Sequence, residues 1–303
     1  MRTEGRGLVR TTLLALLLGV VAIVVPDSTP APVQFTIVKL DKSDGVDVDP
    51  DVIWVLAVGS DARPRENPLR VRGDALQLVG INTRTGAATA IGIPRDSWVP
   101  IPGVGSNRVN AALYYGGPEL LGRTVGNLFG LQPDYVVVAT FSGLAELVKG
   151  IGGITVTNPR AFSDAHLHPQ GWPKGKVRLN GMKAVEFARV RKSLPRGDFD
   201  RSANQQRVIR GIQRRVAERA AEPGFIEGQV INVLRHLHTK GLSPAELFRV
   251  AQAIAQVDPA KVTGCVLQGR GTSINGASVV LPDTRMARRY GDDARKDAVI
   301  RRC

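Results

Sequence analysis

Four polar clusters in this sequence combine arginine with aspartate at spacings suited to holding an anion. Gly59-Ser60-Asp61-Ala62-Arg63 follows one apolar run, Arg72-Gly73-Asp74 precedes another, and Pro94-Arg95-Asp96 follows a third. The fourth is longer: Arg189-Val190-Arg191, then Gly197-Asp198-Phe199-Asp200-Arg201, then Gln205-Gln206. Guanidinium groups are planar forks that match phosphate oxygens, and carboxylates at one site suit a hard divalent cation. Any single cluster is equally well read as a local ion pair or a capped turn, worth little at a surface. Three of them within residues 59–96 make a shared site the stronger reading. Gln205 lies four residues after Arg201, so the two share one helix face, and a helix N-terminus there favours an anion. Arg207, Arg210, Arg214 and Arg215 continue the run as an ordinary solvated basic face. No Ser-His or Cys-His pair is evident, so nothing local points to a covalent nucleophile.

These clusters need elements that end beside one another. Ile53–Val58 is a continuous apolar run that predicts a buried strand delivering the first cluster. Residues 75–81 and 88–93 flank a turn-rich Asn82–Gly86 segment and predict a hairpin. A helix is expected over Gly117–Leu128, a strand over Tyr135–Phe141, a short helix near Leu144–Lys149 and a strand at Ile154–Val156. Residues 158–180 read as a long polar loop. Helices follow at Gly181–Arg189, Arg201–Glu218, Phe225–His238 and Pro244–Gln256, and residues 260–303 read as a small strand and turn before a basic tail. Mixed strands and helices without an internal repeat predict a layered α/β domain, in which sites form at strand ends. The apolar runs at 76–81, 120–131 and 136–148 suit either a core or the lining of a lipid tunnel.

The chain has 303 residues, a formal net charge of +14, 43% hydrophobic and 22% charged residues. That composition suits a folded protein, and the charge calls for an anionic partner. Arg2, Arg6 and Arg10 precede the apolar run Leu13–Val25, the pattern of a basic flank held in the cytoplasm and a segment entering the membrane. No small-x-small cleavage site closes the run, so an uncleaved signal-anchor helix is favoured over a cleaved signal peptide. The expected division is therefore 1–25 cytoplasmic tip and signal anchor, and 26–50 extracytoplasmic stalk with one short strand at Gln34–Leu40. Residues 51–258 would form the catalytic domain and 259–303 a C-terminal extension. Export disfavours nucleic acid as a partner and permits Cys265 and Cys303 to pair, pinning the extension. In a chain-entropy picture that closure contributes up to roughly 4 kcal/mol. The His-x-His pairs, His166/His168 and His236/His238, lack the further ligands that a metal site needs.

The ordered series Gly59–Arg63, Arg72–Asp74, Ile93–Asp96, Val109–Ala112, Gly116–Glu119, Gly152–Ile154, Leu179–Ala184, Arg189–Arg191 and Asp198–Gln205 resembles the LytR–CpsA–Psr family. The resemblance spans roughly residues 53–219. It implies an α/β/α sandwich with a mixed central sheet and an apolar tunnel for a polyprenyl chain. It also implies transfer of a glycopolymer from a polyprenyl-pyrophosphate carrier to peptidoglycan or a similar wall acceptor, outside the cytoplasmic membrane. By the same resemblance Asp61 and Asp74 hold a divalent metal, Mg2+ or Mn2+. Arg72, Arg95, Arg189, Arg191, Arg201 and Gln205 surround the pyrophosphate, and Asp198 is a further acidic residue suited to accept a proton. Arg63 and Asn110 match motif positions. The chain departs from the family at Arg108, where a lysine is usual, and at Gly92, where a serine is common. The same residues would serve a pyrophosphatase. A non-catalytic binder of anionic wall polymer, or a regulator of envelope assembly, would need only the basic surface.

Overall fold

The computed structural model describes residues 33–41, 51–63, 65–219, 222–225, 228 and 233–303. The expected signal-anchor helix and residues 26–32 and 42–50 of the expected stalk lie outside them. Among the described residues no helix is long and apolar enough to cross a membrane.

The strands that run into the first three clusters are the centre of one mixed sheet. Strand β1 is Phe35–Lys39, β2 Val52–Ser60, β3 Gly73–Asn82 and β4 Ala88–Gly92. Further along come β7 (Tyr135–Thr140), β12 (Leu237–Lys240) and β13 (Val262–Val266). Their order across the sheet is β12-β1-β7-β2-β3-β4-β13. The β2–β3 and β3–β4 pairs are antiparallel, as the hairpin pattern requires, and β2–β7 is parallel. Outside this sheet, β5 (Trp98–Ile101) pairs β6 (Gly105–Arg108), and β8 (Ile154–Asn158) pairs a later strand, β11 (Gly175–Leu179).

Alternation along β2 sends side chains to two layers, as a pleated strand must. Val52, Trp54, Leu56 and Val58 enter a core with Leu121, Val125 and Phe129 of helix α1 (Ala111–Phe129) and Tyr290 of helix α6 (Thr284–Ala294). Ile53 and Val55 face the other way, packing with Val250 and Ala253 of helix α5 (Pro244–Ala255). Helices α2 (Phe141–Gly150), α3 (Met182–Arg189) and α4 (Asp198–Arg219) share a further core with the β8–β11 pair. Helices therefore cover both faces of a mixed sheet.

Four expectations are corrected. The strand near Gln34–Leu40 lies inside the sheet, antiparallel to β7, so part of the expected stalk belongs to the domain. Residues 158–180 are not a loop: β9 (Phe162–Asp164) pairs β10 (His168–Trp172), and β11 pairs β8. Their strands are short and broken by Gly and Pro, while Phe162, Trp172, Val177 and Leu179 still point inward. At the end of the expected 225–238 helix, Leu237 and His238 lie in β12, pairing in parallel with β1, and β-pairing overrides local helical spacing there. The C-terminal extension is no tail. β13 pairs β4 at the edge of the central sheet, β14 (Gly269–Ile274) and β15 (Ala277–Pro282) form a hairpin, and α6 buries Ala287, Tyr290 and Ala294. Cys265 and Cys303 are joined by a disulfide with a Cα–Cα distance of 5.3 Å. The bond fastens the chain end to β13.

Candidate active site

Past Val55, the face of the sheet turned towards α2, α3 and α4 carries small residues. Ala57, Gly59, Ala75 and Ala139 occupy positions where large side chains would fill the space beneath the helices. A cavity of about 930 Å³ opens there, walled by Phe141, Leu144, Val185, Ala188, Val208 and Ile209. Of the three apolar runs, only the third lines it to any extent. Leu76, Leu78, Leu121, Val125 and Phe129 belong to the core on the opposite face, and Gln77 alone of 76–81 reaches the cavity.

One end of the cavity is charged, and it unites most of the clusters. Asp61, Asp74, Arg95, Arg189, Arg191, Arg201 and Gln205 all line it. Each arrives by a simple route. Asp61 follows β2, Asp74 opens β3, Arg95 follows β4, and Arg189 closes α3. Arg201 and Gln205 lie on one face of α4 and are buried, as their four-residue spacing requires.

Helix α4 buries polar residues because its inner face meets backbone carbonyls. Gln205 Nε2 donates to the carbonyls of Asp74 (3.3 Å) and Ala188 (3.4 Å), tying β3, α3 and α4 together. Gln77 Nε2 donates to Gln205 Oε1 (3.4 Å) and to the Ser202 carbonyl (3.2 Å). Gln206 reaches the carbonyls of Ala90 and Cys265, so it holds α4 to β4 and β13 rather than joining the site. Gly92 eases this approach. A Cβ there would stand 3.2 Å from both Ser202 Cβ and Gln206 Nε2, so the departure from serine matches close helix–sheet packing.

The arginines are held by a carboxylate network. Arg95 is hydrogen-bonded to Asp74. Asp96, only 8% exposed, is the hub: its Oδ1 lies 3.9 Å from Arg95 Nε and 3.6 Å from Arg108 Nε, and its Oδ2 3.7 Å from Arg191 Nη1. Asp198 is paired with Arg201 and lies 3.5 Å from Arg191 Nε. Burial and a hydrogen bond with Asp96 push the Asp198 carboxyl above the usual carboxylate range, against the pull of Arg201 and Arg191. Burial also draws the Arg201 guanidinium down to about 10. Arg189 stacks over the Phe141 ring at 4.5 Å, with its Nη2 3.8 Å from Asp61. Arg95 Nε is buried without a hydrogen-bond partner among the described residues, a donor left unspent at this end of the cavity.

Four expected residues lie outside the cavity lining: Arg72, Arg63, Asn110 and Asp198, the last buried against Arg191 and Arg201. Arg72 and Arg63 are exposed. Asn110 is buried at the start of α1, where its backbone N–H donates to the Arg95 carbonyl at 3.3 Å, so it supports the Arg95 loop. Asp96 was visible in the third cluster, but nothing local distinguished it from a turn residue. Asp164 and His166 also reach the cavity, from the β9–β10 hairpin. His168 turns away, stacked on Trp172 at 4.3 Å and 3.6 Å from Glu186.

A divalent cation is compatible with these residues. Among the described residues no group of three or more His, Cys, Asp or Glu is placed to hold a metal. Asp61 and Asp74 line one cavity, and burial together with the Asp74 charge raises the Asp61 carboxyl above its usual range. Two carboxylates, completed by phosphate oxygens and water, are the usual protein share of a Mg2+ site.

The fold and parts of the sequence recur in known proteins. The polyisoprenyl-teichoic acid–peptidoglycan teichoic acid transferase TagU of Bacillus licheniformis is 31% identical over 253 residues, covering 82% of this chain and 79% of that protein. TagU of Bacillus subtilis strain 168 gives the same identity and coverage. The crystal structure of B. subtilis TagU superposes with a TM-score of 0.60 at 26% identity, covering 84% of this chain and 99% of that one. B. subtilis TagV superposes at 0.65 with 22% identity, over 81% of this chain and 98% of that one, a likeness of fold. The LytR_cpsA_psr family model matches residues 27–296, a span that takes in both β1 and β13, and the chain therefore belongs to the LytR–CpsA–Psr family.

Proposed function

We propose that this protein transfers a phosphate-linked glycopolymer from a polyprenyl-pyrophosphate carrier to a hydroxyl of peptidoglycan. The carrying observation is one cavity with an apolar body and an arginine-rich end, which suits a lipid chain joined to a pyrophosphate. Family membership and the names of the TagU relatives support the same reading. Arg95, Arg189, Arg191 and Arg201 would neutralise the phosphate oxygens as charge shifts to the departing lipid phosphate. The attacking hydroxyl forms the new P–O bond as the pyrophosphate P–O bond breaks, and its proton passes to Asp198 or to solvent. Gln205 holds the backbone on which Asp74 sits. Asp61 and Asp74 would hold Mg2+ or Mn2+, which when bound supplies further neutralisation of phosphate charge. Arg2, Arg6, Arg10 and the Leu13–Val25 run support a membrane anchor with the domain outside, where lipid-linked donor and wall acceptor meet.

The test uses the full chain in detergent with a short-chain polyprenyl-pyrophosphate saccharide and a peptidoglycan fragment. Release of lipid phosphate and labelled acceptor is followed with and without Mg2+. Transfer that falls by about a thousandfold in Arg95→Ala is expected, with a comparable loss in Asp74→Ala. Cleavage to free saccharide phosphate with acceptor present would make the protein a pyrophosphatase. Tight binding without cleavage would make it a binder. Activity unchanged by chelator would remove the metal from the scheme.

A further inference from the structure

Most large apolar side chains of the domain are covered, yet Tyr114 and Tyr115 are 57% and 49% exposed. They are adjacent, with ring centroids 5.4 Å apart and planes at 75°. They lie on the first turns of α1, one turn after Asn110, whose amide bonds the Arg95 carbonyl. The backbone fixes them there: Gly117 takes φ 70° and breaks the helix after this short segment, and Pro118 follows. The segment that leaves the cavity at Asp61 returns past them, with Arg70 Nη1 donating to the Tyr115 carbonyl at 3.2 Å. Arg70 and Arg72 are exposed, and Arg72 has no ion pair or hydrogen bond among the described residues. The neighbouring carboxylate, Glu119, is engaged by Lys240.

We propose that Tyr114 and Tyr115, with Arg70 and Arg72, form a docking platform for the anionic glycan of the lipid-linked donor. This rests on the transferase reading above. Tyrosine offers a flat apolar face for a sugar ring and a hydroxyl for its polar edge, at little cost in conformational entropy. Arginine beside it suits the phosphate groups that join such sugars. The donor is favoured over the acceptor by charge, since the glycan strands of peptidoglycan carry no phosphate in their backbone. It is also favoured by continuity, because the donor's polymer is attached to the group held at the arginine end. The platform would add affinity for polymer length without touching the bond that breaks.

The experiment compares full-length wild type with Tyr114→Ala/Tyr115→Ala, Tyr114→Phe/Tyr115→Phe and Arg70→Gln/Arg72→Gln by calorimetry. The probes are soluble teichoic acid fragments, a peptidoglycan glycan fragment and a bare short-chain polyprenyl pyrophosphate. The alanine pair should weaken teichoic acid fragment binding by about tenfold, and the phenylalanine pair should retain it. The glutamine pair should weaken it and flatten its salt dependence. Bare polyprenyl pyrophosphate should bind wild type, the alanine pair and the phenylalanine pair alike. Equal polymer binding by wild type and the alanine pair overturns the proposal, as does a loss confined to the peptidoglycan fragment. Failure of wild type to bind the bare pyrophosphate lipid would instead count against the transferase reading. A thermal melt of each variant confirms that the fold is intact.

Discussion

The two faces of strand β2 are made from alternate residues of one segment, yet they end in different environments. Towards α1 and α6 the strand presents Val52, Trp54, Leu56 and Val58, all buried in a continuous core. On the other face it presents Ile53 and Val55 to α5, then Ala57 and Gly59 to the space beneath α2, α3 and α4, where the packing stops. β7 repeats the change, with Ala139 beside Gly59 in the parallel register. A binding cavity is made here by removing volume from one face of a sheet whose other face supplies the stability. Charge follows the same division, because the arginines gather where the small residues leave room.

Exchanging volume between the faces tests this most directly. Leu56→Ala should cost about 3 kcal/mol of folding stability, read by chemical denaturation, while turnover per folded molecule stays unchanged. A stability loss below about 1 kcal/mol would mean that the core repacks and the division is less sharp. The opposite change, Ala57→Leu with Ala139→Leu, should weaken binding of a short-chain polyprenyl pyrophosphate by about thirtyfold, with no loss of thermal stability. Retained lipid binding would place the chain elsewhere.

A smaller effect is expected at the carboxylates. Asp198 is faced by Arg201 from its own helix, by Arg191 from the segment after α3, and by Asp96 and Arg95 from the turn after β4. Its carboxyl lies above the usual range, so if it accepts the hydroxyl proton, activity is present above that value and is lost as pH falls through it. Asp96→Asn removes a neighbouring negative charge, so the acid limb of the kcat profile should move to lower pH. The same change loosens Arg95 and Arg191 and should cut kcat/KM about fivefold. A limb that stays in place would assign the titration to another group.

Much of the domain was legible because its signals are local. The apolar run of β2, the turn between β3 and β4, and the helical spacing over Gly117–Leu128, which falls within α1, each depend on residues close in sequence. The places of β1, β12 and β13 were not, since their pairing partners lie far along the chain: β13 joins β4 and β1 joins β12. The strands of residues 158–180 pair with near neighbours but are short and interrupted by Gly and Pro. The site divides in the same way. Arginine and aspartate types, and the Arg201–Gln205 spacing, were readable from the sequence. That Asp96 would collect Arg95, Arg108 and Arg191 was not, because those side chains come from separate segments.

By itself, then, the sequence determined the chemistry available: forked cations, two carboxylates at strand ends and a polar helix start. Residue type and short-range periodicity are covalent properties of the chain, and they hold whatever the fold. Tertiary structure decided which groups act together and which stay apart. Arg72 points to solvent while Arg95 enters the cavity. It also decided that one set of small residues leaves a cavity where similar residues elsewhere are simply packed. Empty volume is a relation between elements, set by how closely α4 can approach β4 at Gly92 and by what the helices leave uncovered at Ala57 and Ala139.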